Sequence, residues 1–456
     1  MPGATMRARV MLATLLALAA CGGGDETAAP DDGTPALTTQ GNYDQLQREV
    51  FDKQCVSCHT GTNAFAVQSG LVLDAGKSYD AMVNVLARQA VARSEGMRLV
   101  RPGLPDSSLL WHKLQWESGH HTRDYGGPMP LGTRSLSVGQ LDFVRRWIAA
   151  GAPRSAAVAD ARLLTDTTRP PVAAFVAPAA PPAGQGIQLR VQPFQVSGNF
   201  ERELFVYQRL TNPAPMFVNR IEMKMRPNSH HFLLYSFADN TPALFLPAQG
   251  TVRDIRNADG SINIVAALPM AYHVFFAGAQ TPEMDYRFPP GVALRVPANY
   301  GLDLNAHYVN RGADPLTGEA FANLWTVNAA DVRNEARTLN LGNQNISLPP
   351  GQRTTLTRTF LNSSTQDMRV FMLTSHMHQL GERFRILVRG GARDGQVIYE
   401  TTDWAHPEIK NFDTPVVIRP GEGLVSEITW NNTTSRTVRF GLTSQDEMGI
   451  IFGYYY

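Results

Sequence analysis

A chain of 456 residues is long enough for two or three domains, each with its own core. Its 41 Lys and Arg balance 40 Asp and Glu, and no basic run marks a stripe for phosphates, so neither charge nor patterning points to a nucleic-acid partner. Only three cysteines are present, which confines thiol chemistry to a few positions.

At the N-terminus, Arg7 and Arg9 precede an apolar run from Val10 to Ala20 that is too short to span a bilayer and reads as a secretion signal over residues 1–20. The LAAC that ends it resembles a bacterial lipoprotein cleavage box. That resemblance implies that Cys21 is the acylated first residue of a mature, exported protein, anchored by lipid to a bacterial membrane and facing the periplasm or the cell surface. Residues 21–42, opening GGGDETAAPDDGTP, are polar and Gly- and Pro-rich, with nothing to bury, and read as a flexible tether.

Residues 43–153 read as a small all-α domain. A helix, NYDQLQREVFDKQ, delivers CVSCH, in which Cys55, Cys58 and His59 have the spacing that attaches a c-type haem through two thioethers, with the histidine as proximal iron ligand. A closing helix is expected in SVGQLDFVRRWIAAGAP: Ser137 and Gln140 form a capping box, Leu141, Val144 and Ile148 an apolar stripe, and Gly151 with Pro153 the stop. The domain resembles a cytochrome c, and Met129 in the loop YGGPMPLG resembles that family's distal haem ligand, with His112, His120 and His121 as competing axial ligands. Residues 154–185 are rich in Ala and Pro and read as an extended, semi-stiff linker, long enough to reach across a domain.

Beyond residue 186 the apolar period changes to two, in IEMKM, VALRV and GLDLNAHYV, and no long amphipathic helix follows. Short strands separated by Pro, Gly and Asn turns predict two antiparallel β-sandwiches of jelly-roll type, residues 186–335 and 336–456.

Histidines stand out within these strands. In LTSHMHQLGERFRI, His376 and His378 are two apart and share one strand face, with Phe371, Leu373, Ser375 and Met377 on the other, so the pair is expected to face a cleft. In GLDLNAHYV, Leu302, Leu304 and Ala306 share one face and His307 lies opposite with Asp303 and Asn305. His230 and His231 are adjacent, so joint ligation needs a bulge, which the break at Pro227–Ser229 can supply. Met448, in TSQDEMGIIFGYYY, is a soft thioether donor, and imidazoles with a thioether suit copper better than zinc. His273 and His406 fall outside these motifs and read as structural or as supporting the ligands.

SHHFLLY, AHYVN, HMH and DEM occur in the order found in the copper type II, ascorbate-dependent monooxygenases, the family of peptidylglycine α-hydroxylating monooxygenase and dopamine β-monooxygenase, and FFAGAQTPEMDYRFPPGVALRV is similar to the segment leading into that family's HY strand. The resemblance covers residues 186–456. It implies that His230, His231 and His307 hold an electron-transfer copper on the first sandwich, and that His376, His378 and Met448 hold an oxygen-binding, catalytic copper on the second. It further implies hydroxylation of a C–H bond with dioxygen, two electrons and two protons. Family members use disulfides in these sandwiches; with Cys21 lipidated and Cys55 and Cys58 on haem, none remains for this purpose. In the family's amidating branch an arginine, an asparagine and a tyrosine anchor a substrate carboxylate. The corresponding positions here are Thr374, Ile450 and Phe452, which leaves an apolar wall and predicts a neutral or hydrophobic small-molecule substrate.

The leading expectation is a tethered copper monooxygenase whose electrons come from an unidentified donor through one covalent haem to two coppers. A non-catalytic haem and copper electron relay is the alternative, and a copper-binding adhesion or storage module a third reading. An open coordination position at the Met-containing site favours the first.

Overall fold

The computed structural model describes residues 41–456 except 62, 64–65, 67–68, 116–124, 126–127, 131–134, 172–173, 405–406 and 442–444. The secretion signal, Cys21, His120, His121 and His406 therefore lie outside the described residues. The fold is mostly β, in several antiparallel sheets.

Residues 42–149 are carried by helical segments, with isolated bridges such as Val83 to Val100 and Leu86 to Arg98 between them. A helix at Asn42–Leu46 passes through a π-helical turn at Gln47–Phe51 and leads to Val56–His59. The closing helix is Val138–Ala149, and its Ser137–Gln140 capping box makes both reciprocal bonds at 3.1 Å. Phe143, Val144, Trp147 and Ile148 are buried against Tyr43, Leu46, Val50 and Phe51.

The first sandwich comprises β1 (Gly186–Val196), β2 (Phe200–Arg209), β3 (Met216–Met225), β4 (Ser229–Phe237), β5 (Val252–Asp254), β6 (His273–Ala279), β7 (Glu283–Arg287), β8 (Val292–Val296), β9 (Gly301–Asn310) and β10 (Leu316–Val327). The second comprises β11 (Asn334–Gly342), β12 (Ser347–Leu348), β13 (Gln352–Leu361), β14 (Met368–Met377), β15 (Gly381–Arg389), β16 (Val397–Thr401), β17 (Lys410–Ile418), β18 (Gly423–Asn432), β19 (Val438–Arg439) and β20 (Gly449–Tyr455). The strands alternate as their sequences require. On β9, Leu302, Leu304, Ala306 and Tyr308 enter the core between the sheets, and Asp303, Asn305 and His307 take the other face.

The two sandwiches are not separate sheets. One sheet runs β1-β10-β3-β8-β11-β20-β14-β17, and its crossing point is a parallel pairing in which Asn334, Glu335 and Ala336 of β11 face Val292, Ala293 and Leu294 of β8. Aromatic rings fill the seam beside it: Tyr454 stacks on Tyr286 at 5.7 Å and on Phe371 at 6.0 Å, and Phe452 lies 4.5 Å from Phe275. Phe371 reaches this seam because β14 carries a register shift between Val370 and Met372. Simple alternation places Phe371 with Leu373 and Met377, whereas the bulge turns it toward the first sandwich.

The linker also departs from expectation. Val138 N–H donates to Thr168 C=O at 2.8 Å, and Arg169 to Ser135 C=O at 2.6 Å, so residues up to 169 belong to the helical part. Phe175 stacks on Phe321 at 6.0 Å beneath the Arg226 guanidinium, and Asn323 donates to Ala179 C=O at 2.8 Å, so residues from 175 lie on the first sandwich. The Ala and Pro composition signals an extended backbone correctly, but an extended backbone with exposed carbonyls can dock on a surface as readily as it can hang free.

Candidate metal centres

The first cluster forms where β4 and β9 run side by side with His231 directly opposite His307. A register shift between Ser229 and His231, beside Asn228 at φ 68°, lets His230 join them. The three rings then lie 4.8 to 5.3 Å apart, and their ligand atoms all fall within 4.8 Å of one another.

Hydrogen bonds select which nitrogen His231 and His307 offer. His307 Nε2 bonds the Glu201 carboxylate at 2.7 Å, and His231 Nε2 bonds Asn305 Oδ1 at 2.7 Å. Asn305 in turn donates to Glu203 at 3.2 Å. This fixes the proton on Nε2 and leaves Nδ1 with a free lone pair. The Nδ1 atoms of both His231 and His307 are buried without a hydrogen-bond partner among the described residues. Two unpaired buried nitrogens cost roughly 1–3 kcal/mol each, a penalty that coordination of a metal removes. Burial holds His231 below the usual imidazole range, which favours the neutral ring a metal requires. Burial acts against the Glu203 carboxylate, but His307, His231 and Arg256 together hold it below the usual range.

The second cluster sits on the other sandwich. His376, next to last in β14, lies opposite Ile450 of β20, Met377 faces Gly449, and Met448, just before Gly449, lines the same cleft as His376 and His378. The His376 and His378 rings are 5.1 Å apart. His378 Nδ1 donates to Asp446 C=O at 2.9 Å and His376 Nδ1 approaches Gln280 Oε1 at 3.4 Å, which leaves Nε2 of each as the ligand atom. Enclosure and the neighbouring His378 hold His376 well below the usual range. Glu447, fully buried, ties this cluster together: it accepts from His378 N–H at 3.0 Å, Leu380 N–H at 2.8 Å and Trp430 Nε1–H at 2.8 Å.

All six residues line one cleft of about 1220 Å³ between the sandwiches. Its wall includes Ile450, Phe452 and Thr374, whose hydroxyl donates to Glu408 C=O at 2.9 Å. Residues 334–456 match the family model for the copper type II ascorbate-dependent monooxygenase, C-terminal domain. That C-terminal segment holds His376, His378 and Met448, and the match supports copper monooxygenase chemistry in general terms. No curated protein matches the chain. Similar solved structures include STIV MCP (10% identity, 60% of this chain, 97% of that chain, TM-score 0.28) and PNGase F, a glycosylasparaginase from Flavobacterium meningosepticum (9%, 59%, 95%, 0.28). The major capsid protein P2 of bacteriophage PM2 is a third (10%, 59%, 97%, 0.27). Likenesses this weak carry no argument about this chain.

In the helical part, Cys55 and Cys58 are free thiols and His59 is buried. His59 Nδ1 bonds Leu71 C=O at 3.0 Å, so Nε2 is its available ligand atom. Burial, with Cys58 adding to it, pushes the Cys55 thiol up to about 12. Met129 is half-buried, its N–H bonded to Lys113 C=O at 2.7 Å. His112 commits Nε2 to Asp106 C=O at 2.9 Å.

Glu201, Glu203, Asn305 and Glu447 were not singled out by the motifs. The alternation in FERELF, which sets Glu201 and Glu203 on the same strand face as Phe205 and Tyr207, is the signal that points to the first two. His273, expected to be structural or supporting, bonds the buried Asp303 at 2.9 Å and lies outside both clusters.

Proposed function

We propose that this protein is a copper-dependent monooxygenase that hydroxylates a C–H bond of a neutral or hydrophobic substrate. The observation that carries the reading is that two three-donor sets of different character, three imidazoles and two imidazoles with a thioether, open onto the same cleft. A pure electron relay has no use for a cleft of about 1220 Å³ between its centres.

His230, His231 and His307 would hold one copper and His376, His378 and Met448 the other. Copper at both sites supplies the one-electron steps that the reaction R–H + O2 + 2e⁻ + 2H⁺ → R–OH + H2O requires. The protein's own part is positional and electrostatic. Glu201 and Asn305 keep His307 and His231 in the tautomer that presents Nδ1, Asp446 keeps His378 presenting Nε2, and Glu447 holds the strand ends that carry His378 and Met448. The apolar walls favour an uncharged substrate, since a carboxylate there would be desolvated without a partner.

Electrons enter, on this reading, through a c-type haem carried by Cys55 and Cys58, with His59 as proximal and Met129 as distal ligand. His/Met ligation raises the potential of such a haem. The free thiols at C-x-x-C-H spacing and a His59 ring already oriented through Nδ1 fit that group. Cys21 would anchor the exported chain to the membrane. The test is metal and haem analysis of the full chain with oxygen uptake: one haem, two coppers, and substrate-dependent oxygen consumption that His376→Ala abolishes without altering the haem spectrum. Turnover surviving that substitution would sink the assignment.

A further inference from the structure

The outer mouth of the cleft is built by the excursion between β4 and β6. Asn263 caps a short helix at Ile264–Ala267, accepting from Ala266 N–H, and a 3-10 turn at Leu268–Tyr272 follows. Phe205, Ile255 and Ala266 make a small core beneath, joined by Ile262, Ala267 and Met270. That core uses one face of the excursion and turns the other outward, leaving Ile264 72%, Val265 77% and Leu268 47% exposed. A neighbouring turn at Ala243–Phe245 docks by stacking Phe245 on Tyr272 at 5.2 Å, and it adds Leu244, 89% exposed. Single exposed apolar residues are ordinary, but four large ones on two adjoining turns at the mouth of a cleft form a patch that calls for a ligand.

The patch is continuous with the interior. Ile264 and Leu268 themselves line the cleft, and the same lining includes Met270, Leu233, Phe275 and Ile450, the last of which lies opposite His376. Charges near this path are committed elsewhere: Arg256 pairs with Glu201 at 2.9 Å, Glu201 holds His307, and Glu203 holds Asn305. The exposed Arg311 and Glu408 at the edge have opposite signs and favour neither kind of ion. The cleft is also larger than the roughly 300–1,000 Å³ that suits a compact small molecule.

We infer that the cleft binds an uncharged substrate bearing an extended aliphatic chain, with the reacting carbon at the second cluster and the chain laid outward to the lip of Ile264 and Leu268. The inference rests on the function proposed above for its chemistry, but not for its binding. The probe is a series of straight-chain primary alcohols from six to fourteen carbons, titrated into the full-length, copper-loaded protein by calorimetry. Dissociation constants should tighten about fourfold per methylene until the chain passes the lip. Ile264→Asp and Leu268→Asp should each weaken the longest alcohols about tenfold or more and the shortest by less than about twofold, with two coppers retained as the sign of a folded chain. Ile264→Leu should restore the slope. An affinity independent of chain length, an equal loss for short and long alcohols, or tighter binding of the matching alkanoates or alkylammonium ions would overturn the inference. Alcohols that bind with the expected slope but are never hydroxylated would leave the chain subsite standing and remove the proposed reaction.

Discussion

Glu447 shows how much of the second cluster depends on one side chain that is not itself a ligand. Its three donors are two backbone amides in the turn between β14 and β15 and the indole on β18, so its removal frees the segment bearing Met448 from the segment bearing His378. Burial outweighs those donors and pushes the carboxyl from its ordinary 4.5 up to about 7. Between those values the folded chain holds a proton the unfolded chain has lost, so this contribution is complete below 4.5 and declines as pH rises toward 7. Copper-free wild type should therefore lose on the order of 3 kcal/mol over that interval relative to Glu447→Gln, as read from urea midpoints. Parallel pH profiles for the two proteins would refute it. In the copper-loaded protein, Met448→Ala should reduce the metal count from two to one, and retention of both coppers would show that the thioether is not a ligand. The histidines and Met448 that line the cleft are legible in the sequence because imidazole and thioether are scarce and stand at strand spacing. Glu447 and Asn305 are not, because a carboxylate or an amide declares its role only through partners far away in the chain.

At the scale of the element, alternation told which face of β9 bears His307, since Leu302, Leu304 and Ala306 leave it no other. What alternation cannot give is where a strand breaks its own period. The two bulges, at Ser229 to His231 and at Val370 to Met372, redirect His230 and Phe371. The first was foreseeable because Pro227 and Asn228 disrupt the strand; the second follows VFML, where nothing local marks it. Asn228 supports its bulge at φ 68°, a conformation that costs a β-branched residue roughly 1–3 kcal/mol. Asn228→Val should lower stability by about that amount and weaken copper at the first cluster specifically, while Asn228→Gly should be close to neutral. Equal copper affinity in the valine and glycine variants would show that the bulge does not set the cluster.

Across the whole molecule, the pairing of β8 with β11 was invisible in the sequence, because three backbone pairings between distant segments leave no compositional trace. The aromatic residues that flank it were visible only as core candidates. Tyr454 stacks on rings from both sandwiches and donates to Phe276 C=O at 2.8 Å, so Tyr454→Ala should cost about 4 kcal/mol. Calorimetry should show the two sandwiches of wild type unfolding in one transition; two resolved transitions for them would mean that the seam is weak. The linker reads differently from its composition too: anchored through Arg169 on one side and Phe175 on the other, it leaves five residues, 170–174, between anchors. Fully extended, these span at most about 18 Å, which is far less than a free chain of thirty. If the proposed haem feeds copper, Phe175→Ala should change the rate of intramolecular copper reduction in stopped flow without changing haem or copper content. An unchanged rate would mean that the anchor has no part in electron entry.

The β8–β11 pairing also sets a mechanical condition on catalysis. Because a shared ladder of backbone hydrogen bonds, rather than a flexible connector, joins the halves that carry the two clusters, the gape between those clusters is built in like the jaw setting of a fixed caliper. Such an enzyme has no large closing stroke to wait for. Its turnover should be indifferent to the friction of the medium, and added sucrose or glycerol should slow it only when substrate arrival, not chemistry, limits the rate.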